Sequence, residues 1–236
     1  MKGANGRKKV RRTLKDVKVY LSAKEVYALI TSKSCDYKTD ETRDLYRKRD
    51  RALMAIDFVG AFRNNEPLLY HTNQKKKGHR LEVNEQALRK RNFVESPSGL
   101  ILQNAKISKR SEKVLRKIGA RATIREDIVF PTFDHPLRPF TDLVLDYIVL
   151  LKDDDVLFRF GERRHHQIVK EVTGEWPHWL RSQGENWMGH NVFVNDPLSL
   201  AKFVGVLNVQ SVMPYVGLDV KAYRERLKRA SQTDNR

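Results

Sequence analysis

The sequence predicts an α+β fold, mainly helical, with one small three-stranded antiparallel sheet. Three observations carry this. Helical periodicity with recognisable start and stop signals recurs along most of the chain. Between Asn92 and Phe130, in contrast, lie three short apolar runs, two of them joined by the turn sequence Ser96-Pro97-Ser98-Gly99. With 236 residues and 40% hydrophobic composition, the chain has material for one sizeable core.

Taken in order, Met1 to Lys18 is polar and basic, and Gly3 and Gly6 disfavour a stable helix. Residues 1–20 therefore form an expected flexible arm, suited to lying on phosphates or to keeping the chain soluble. Ser22-Ala23-Lys24-Glu25 is a capping box that opens a short helix through Val26, Leu29 and Ile30. Asp44 to Phe62 is the strongest helix of the first half. It is apolar almost all round from Ala52 to Phe62, so it should be buried. Arg63 follows this rod directly, a place where a charge needs a partner. Glu66 supplies one, unless Arg63 is held towards a ligand instead.

Pro67 to Tyr70 continues the core, and Glu82 to Lys90 reads as a second helix. The three expected strands are Asn92 to Glu95, Leu100 to Gln103 and Asp127 to Phe130, with the basic excursion Ile107 to Arg125 between the last two. Asp142 to Lys152 is a core helix, Val156 to Phe160 is extended, and Gly161 to Val172 is a helix stopped by Gly174. Pro177 begins the next helix. Asp196 at the N-cap with Pro197 behind it begins another, and Asp219 to Lys228 is a last amphipathic one.

The formal net charge of +17 implies an anionic partner, with nucleic acid first and anionic membrane second. A ribosomal RNA-binding protein would account for the charge but not for the residue pattern described next. The single cysteine, Cys35, excludes an intramolecular disulfide and a cysteine-based zinc site, which suits a reducing cytoplasm. No apolar run is long enough for a membrane span, and the basic N-terminus has no apolar segment behind it as a secretory signal would.

His178 and Arg181 are three apart on an expected helix, so they share a face and can reach one small anion. The planar arginine fork matches two phosphate oxygens, and Tyr215 offers a hydroxyl that can attack what the fork holds.

Four pieces stand in an order that resembles the catalytic domain of the tyrosine recombinases, the lambda-integrase family. Arg49-Asp50-Arg51-Ala52-Leu53 followed by Gly60-Ala61-Phe62-Arg63-Asn64-Asn65-Glu66 resembles the helix leading to the first catalytic arginine. Gly99 to Lys106 is similar to the turn, strand and catalytic lysine. Pro177-His178-Trp179-Leu180-Arg181 resembles the His-x-x-Arg box, in wording like that of archaeal integrase-like members. Val204-Gly205 to Tyr215 is similar to the segment ending in the nucleophile.

The resemblance implies a tyrosine recombinase catalytic domain over 21–230, with the arm at 1–20 and a polar tail at 231–236. It implies site-specific recombination, integration or excision, on double-stranded DNA in the cytoplasm, by a dimer or tetramer serving a mobile element of archaeal or viral type. Arg63 and Arg181 would grip the scissile phosphate, and His178 would hydrogen-bond it. Lys106 would protonate the departing 5′ oxygen, and Tyr215 would attack phosphorus and keep a 3′-phosphotyrosine. Free tyrosine titrates near 10 and needs activation, while two guanidinium groups neutralise charge building on the phosphoryl oxygens. Neither a metal nor another cofactor is implied.

The pattern departs from the family at three places. Val206 stands where the family has His or Trp, and Ser182 follows the second arginine where His is usual. Val206 cannot donate to a phosphate. That leaves either a slower or impaired enzyme, or help from another group such as His190 or Asn208. The family's N-terminal helical domain has no counterpart before Leu21, which fits a minimal enzyme or a fragment. Within the long excursion, Lys109, Lys113 and Lys117 compete with Lys106 as the acid. A catalytically impaired DNA-binding relative and a topoisomerase IB-like nicking and religating protein share most of these features.

Deleting Met1 to Lys18 should weaken DNA binding about equally on all sequences and make the salt dependence of the affinity shallower, because phosphate contacts disappear. Binding titrations at several salt concentrations check this. An unchanged slope leaves the arm as a solubilising tail.

Overall fold

A computed structural model describes residues 20–37, 40–72, 81–97, 99–105, 125–194, 196–206 and 208–216. The expected arm up to Lys18, the excursion from residue 106 to 124 with Lys106, and the helix Asp219 to Lys228 lie outside them. Among the described residues the architecture is α+β and mainly helical, and no helix is long and apolar enough to cross a membrane.

Helix α1 (Ala23–Ser32) starts at the capping box read from the sequence. Ser22 Oγ accepts from Glu25 N at 3.3 Å and Glu25 Oε2 accepts from Ser22 N at 2.7 Å, so two orphan donors of the first turn are satisfied. Helix α2 (Asp40–Val59) starts earlier than expected and ends just before Gly60. Its second half, from Ala52 to Val59, is buried on every side, as a stretch that is apolar except for Asp57 demands. Helix α3 (Arg138–Ile148) lies along α2, with Phe140 stacked on Phe58 at 4.8 Å. It begins four residues before the expected Asp142, because Pro139 suits a first helical turn.

The expected antiparallel sheet is present. Strands β3 (Phe93–Ser96), β4 (Gly99–Leu102) and β5 (Ile128–Phe130) pair in the order β3-β4-β5, with Glu95 opposite Leu100 and Leu100 opposite Phe130. A second three-stranded sheet was not foreseen. In it β1 (Leu68–Thr72) pairs antiparallel with β2 (Leu81–Val83) and parallel with β6 (Phe158–Gly161). The helix expected over Glu82 to Lys90 is therefore absent. β2 occupies its start, and Asn84 then turns the chain, its Oδ1 accepting from Gln86 N and its Nδ2 donating to Leu68 O. A local Asx turn and a strand partner outweigh the helical spacing of Leu81, Leu88 and their neighbours.

Helix α4 (Glu162–Thr173) ends where Gly174 adopts the left-handed conformation with φ 79°, as its sequence position suggested. Helix α5 (Pro177–Asn191) is buried from Leu180 to Glu185 and again from Trp187 to Gly189. Helix α6 (Pro197–Phe203) is capped by Asp196, whose Oδ1 accepts from Ser199 N at 2.9 Å. Two 3₁₀ turns, Val209–Ser211 and Met213–Tyr215, carry the chain back to α5.

Helices α2 and α5 meet at Gly184. A Cβ built there would sit 2.0 Å from the Phe58 carbonyl oxygen, a backbone atom that cannot swing aside. Gly184→Ala should therefore destabilise the fold at or above the upper end of the about 1–3 kcal/mol typical of overpacking. Denaturant unfolding of the variant against the unmodified protein reads it.

Candidate functional site

The site is built where the end of α2, the start of the β5 approach and the face of α5 converge. Arg63 follows the buried end of α2. Its backbone N donates to Glu66 Oε2 at 2.8 Å and its guanidinium to Glu66 Oε1 at 3.3 Å, so the anticipated Arg63–Glu66 pairing exists. The pair is asymmetric: the Glu66 side chain is 1% exposed and that of Arg63 23%. Arg63 thus keeps part of its fork towards solvent while its carboxylate partner anchors it from inside.

Arg181 is buried on α5. Its Nη1 donates to Ala61 O at 2.7 Å, its Nη2 to Val204 O at 3.4 Å and its Nε to Glu185 Oε1 at 2.7 Å. One guanidinium thereby joins the exit of α2, the exit of α6 and its own helix. His178 lies one turn earlier and is exposed, so the two members of the His-x-x-Arg box occupy a rim and a floor. Tyr215 is buried against α5. A Cβ on Gly189 would lie 2.4 Å from the Tyr215 carbonyl oxygen, and the Tyr20 ring meets the Tyr215 ring edge-on at 6.5 Å. Burial pushes the Tyr215 phenol up; the Ser182 hydroxyl pulls the other way, and the Glu185 carboxylate and Tyr20 add to the rise.

Arg125, which reads from the sequence as one more cation of the basic excursion, is a central part of this region. It is wholly buried, with Nη2 donating to Gly60 O at 2.6 Å and to Phe203 O at 2.7 Å and Nη1 to Glu66 Oε2 at 3.5 Å. Its guanidinium lies 4.4 Å from the Phe62 ring centre. Burial drops its pKa to about 10, Glu66 opposing the drop and Arg181 and Arg63 adding to it. Arg125 N also donates to Ala105 O at 2.8 Å, so the two ends of the excursion are fastened together. Lys106, the residue after buried Ala105, lies outside the described residues. No local periodicity distinguishes Arg125; its place just before β5 is the only sequence signal.

The loop bearing Arg63 is fixed from behind by His165. Its Nε2 lies 2.6 Å from Asp57 Oδ2 and its Nδ1 3.0 Å from Asn64 O. Both ring nitrogens face oxygens, an arrangement in which a protonated ring donates two bonds. Burial alone would push its pKa down, but Asp57 outweighs that and the net direction is up. His166 adds a contact of 2.9 Å to Asn64 Nδ2.

Val206 is half-buried after Gly205, and the two groups weighed as its substitutes have local partners. His190 Nδ1 bonds Asn186 O at 2.9 Å, and Asn208 Oδ1 accepts from Gln210 N at 3.0 Å. A cleft of about 440 Å³, lined by Tyr46, Arg49, Tyr147 and Leu151 among others, lies on α2 and α3 and shares no residue with the arginine cluster.

No protein-family model matches the chain. No curated protein matches it either. Among solved structures, one described as the crystal structure of XerA recombinase is similar at a TM-score of 0.48 and 15% identity. The similarity covers 93% of this chain and 65% of that one.

Because His165 binds its proton more tightly folded than unfolded, its contribution to stability is fully present below the ordinary histidine range and is lost as pH rises through its elevated folded value. Unfolding free energies measured from about pH 6 to 9 should fall for the unmodified protein. His165→Asn should be less stable at the acid end and flatter across the range.

Proposed function

We propose that the protein is a DNA strand transferase of tyrosine-recombinase type, and that it cuts and rejoins one strand through a 3′-phosphotyrosine on Tyr215. The observation that carries this is a convergence. Arg63, Arg181 and Tyr215 are far apart in the chain. Yet Arg181 bonds Ala61, two residues from Arg63, while Tyr215 packs on the helix that bears Arg181. A buried or half-buried set of arginines around the helix against which a tyrosine segment packs suits a phosphodiester: the cations offset charge developing on the phosphoryl oxygens, and the phenol is the attacking group. The surplus of +17 supplies long-range attraction for a polyanion.

In this proposal Arg63, with its partly exposed fork, and Arg181, from the floor, clamp the scissile phosphate. His178 reaches it from the rim, and Lys106 protonates the 5′ oxygen. Glu66 and Arg125 hold the clamp in shape. The phosphotyrosine conserves the energy of the broken bond, so religation needs no nucleotide. Assembly as a dimer or tetramer on the DNA and a site-specific exchange between two duplexes belong to the same proposal.

A second reading, a relative that binds DNA without cutting it, is favoured by Val206 in place of a donor and by the three protein anchors already on the Arg181 guanidinium.

A suicide substrate nicked near the authentic site separates the two. The unmodified protein should trap a covalent protein–DNA band, and Tyr215→Phe should abolish it with binding nearly intact. Arg63→Ala should slow cleavage by about a hundredfold or more with a smaller loss of binding, and Arg181→Lys should recover little, since a point charge does not replace a fork. Binding without any covalent band, on the authentic site, leaves the non-cutting relative.

A further inference from the structure

The turn that carries Arg63 is closed on itself. Glu66 N donates to Arg63 O at 2.9 Å, and Arg63 N donates to Glu66 Oε2 at 2.8 Å. Such a turn keeps its shape, but bonds from outside it must set its direction. Arg125 supplies one through Glu66. Two others come from the start of α4 and both end on Asn64, the residue after Arg63. His165 Nδ1 lies 3.0 Å from the Asn64 main-chain oxygen, and His166 Nε2 lies 2.9 Å from Asn64 Nδ2. On the other side of the His165 ring stands Asp57 of α2, whose Oδ2 is 2.6 Å from Nε2. His165 and Asp57 are buried, and Asp57 Oδ1 has no hydrogen-bond partner among the described residues. The other charged and titratable groups acting on this pair are Glu162 and His166 on α4, Glu66 after α2 and Arg181 on α5.

The two hydrogens of a charged imidazole are held unequally here. One sits between Nε2 and Asp57 Oδ2. Removing it sets a nitrogen lone pair against a buried carboxylate with no other donor, which is the more costly loss. The other sits between Nδ1 and Asn64 O. Removing it sets a lone pair against a neutral carbonyl, and that carbonyl belongs to a turn that can shift. Nδ1 is therefore the nitrogen that gives up its hydrogen as pH rises. Burial favours the neutral ring and Asp57 the charged one; Asp57 prevails, so the loss falls above the ordinary histidine range.

We infer that His165 is a positioning residue for Arg63: the hydrogen on its Nδ1 holds the turn at Asn64, and its loss lets the Arg63 fork drift from the scissile phosphate. This rests on the strand-transfer function proposed above. The His165 ring is wholly buried, so it acts on the phosphate only through the turn. A group misplaced by about 1 Å can lower a rate by about a hundredfold. Because the arginine charge acts mostly on the transition state, the loss falls on the rate of cleavage more than on DNA affinity.

Two amide variants separate the two bonds. His165→Asn places an amide nitrogen near the site of Nδ1 and keeps a donor for Asn64 O. His165→Gln places one near the site of Nε2 and keeps a donor for Asp57 only. The test is single-turnover cleavage of the suicide substrate by the full chain at saturating DNA, from about pH 6 to 9. At neutral pH His165→Gln should cleave about tenfold or more slower than His165→Asn, with the DNA affinities of the two within about threefold. The rate of the unmodified protein divided by that of His165→Asn should fall as pH rises, since the asparagine donor does not titrate. Combined with Arg63→Ala, the difference between the two amides should vanish, because nothing is left to position; a merely structural histidine shows the same difference in both backgrounds. Equal rates for the two amides, a ratio independent of pH, or a difference that survives Arg63→Ala overturns the assignment. Thermal unfolding shows which variants fold, and nitrogen NMR of the His165 ring in the unmodified protein needs none of them. There Nδ1 should lose its hydrogen first, and loss from Nε2 first overturns the assignment. Failure of the underlying function looks different: the unmodified protein then forms no covalent complex at any pH, while the order of hydrogen loss still stands.

Discussion

The close crossing of α2 and α5 is the constraint on which the rest depends. Gly184 allows the α5 backbone to press against the Phe58 carbonyl, and every residue of the candidate site is measured from that contact. On the α2 side the chain leaves at Gly60 and presents the carbonyls of Gly60 and Ala61 to Arg125 and Arg181. On the α5 side Arg181, Ser182 and Glu185 are buried around Gly184. Spreading these helices by the width of a methyl group would lengthen the guanidinium bonds that bridge them.

Around that crossing the protein has an electrostatic problem and a specific solution. Arg125 and Arg181 are buried and Arg63 is partly so, and isolated cations there would be costly. Glu66 serves Arg63 and Arg125, Glu185 serves Arg181, and main-chain carbonyls take much of the remaining fork. Removing one carboxylate would leave a buried charge uncompensated, a loss of about 3–5 kcal/mol in comparable pairs. Two carboxylates against three guanidinium groups leave the cluster positive by one, the sign an anionic ligand needs.

Most of the described helices and one sheet were legible in the sequence because their signals are local. The Ser22–Glu25 box, the Asp196–Pro197 start and the Gly174 stop are each set within a few residues, and the β3-β4-β5 strands carry their own turn. The second sheet was hidden because β1 and β6 pair across a long stretch of chain with no turn to announce them. Glu82 to Lys90 misled by its spacing, since the bonds of Asn84 to β1 lie outside any local pattern. Of the candidate site, Arg63, His178, Arg181 and Tyr215 were singled out by motif, and Lys106 falls outside the described residues. Arg125 and Glu185 were missed because each sits in a polar run that reads as a solvated face, and only the tertiary crossing reveals them as buried.

The Tyr20 ring against Tyr215 has a consequence for how often the phenol meets solvent. Tyr20 is followed by Leu21, whose backbone N donates to Gln183 Oε1 on α5 at 2.8 Å, so the first described residues are pinned over the tyrosine by one ring contact and one hydrogen bond. Tyr20 and Leu21 also pack on the apolar core, so this cover is held by burial as well as by those two contacts. Access to the Tyr215 ring therefore depends on the packing of residues 20 and 21 as well as on the stability of the core.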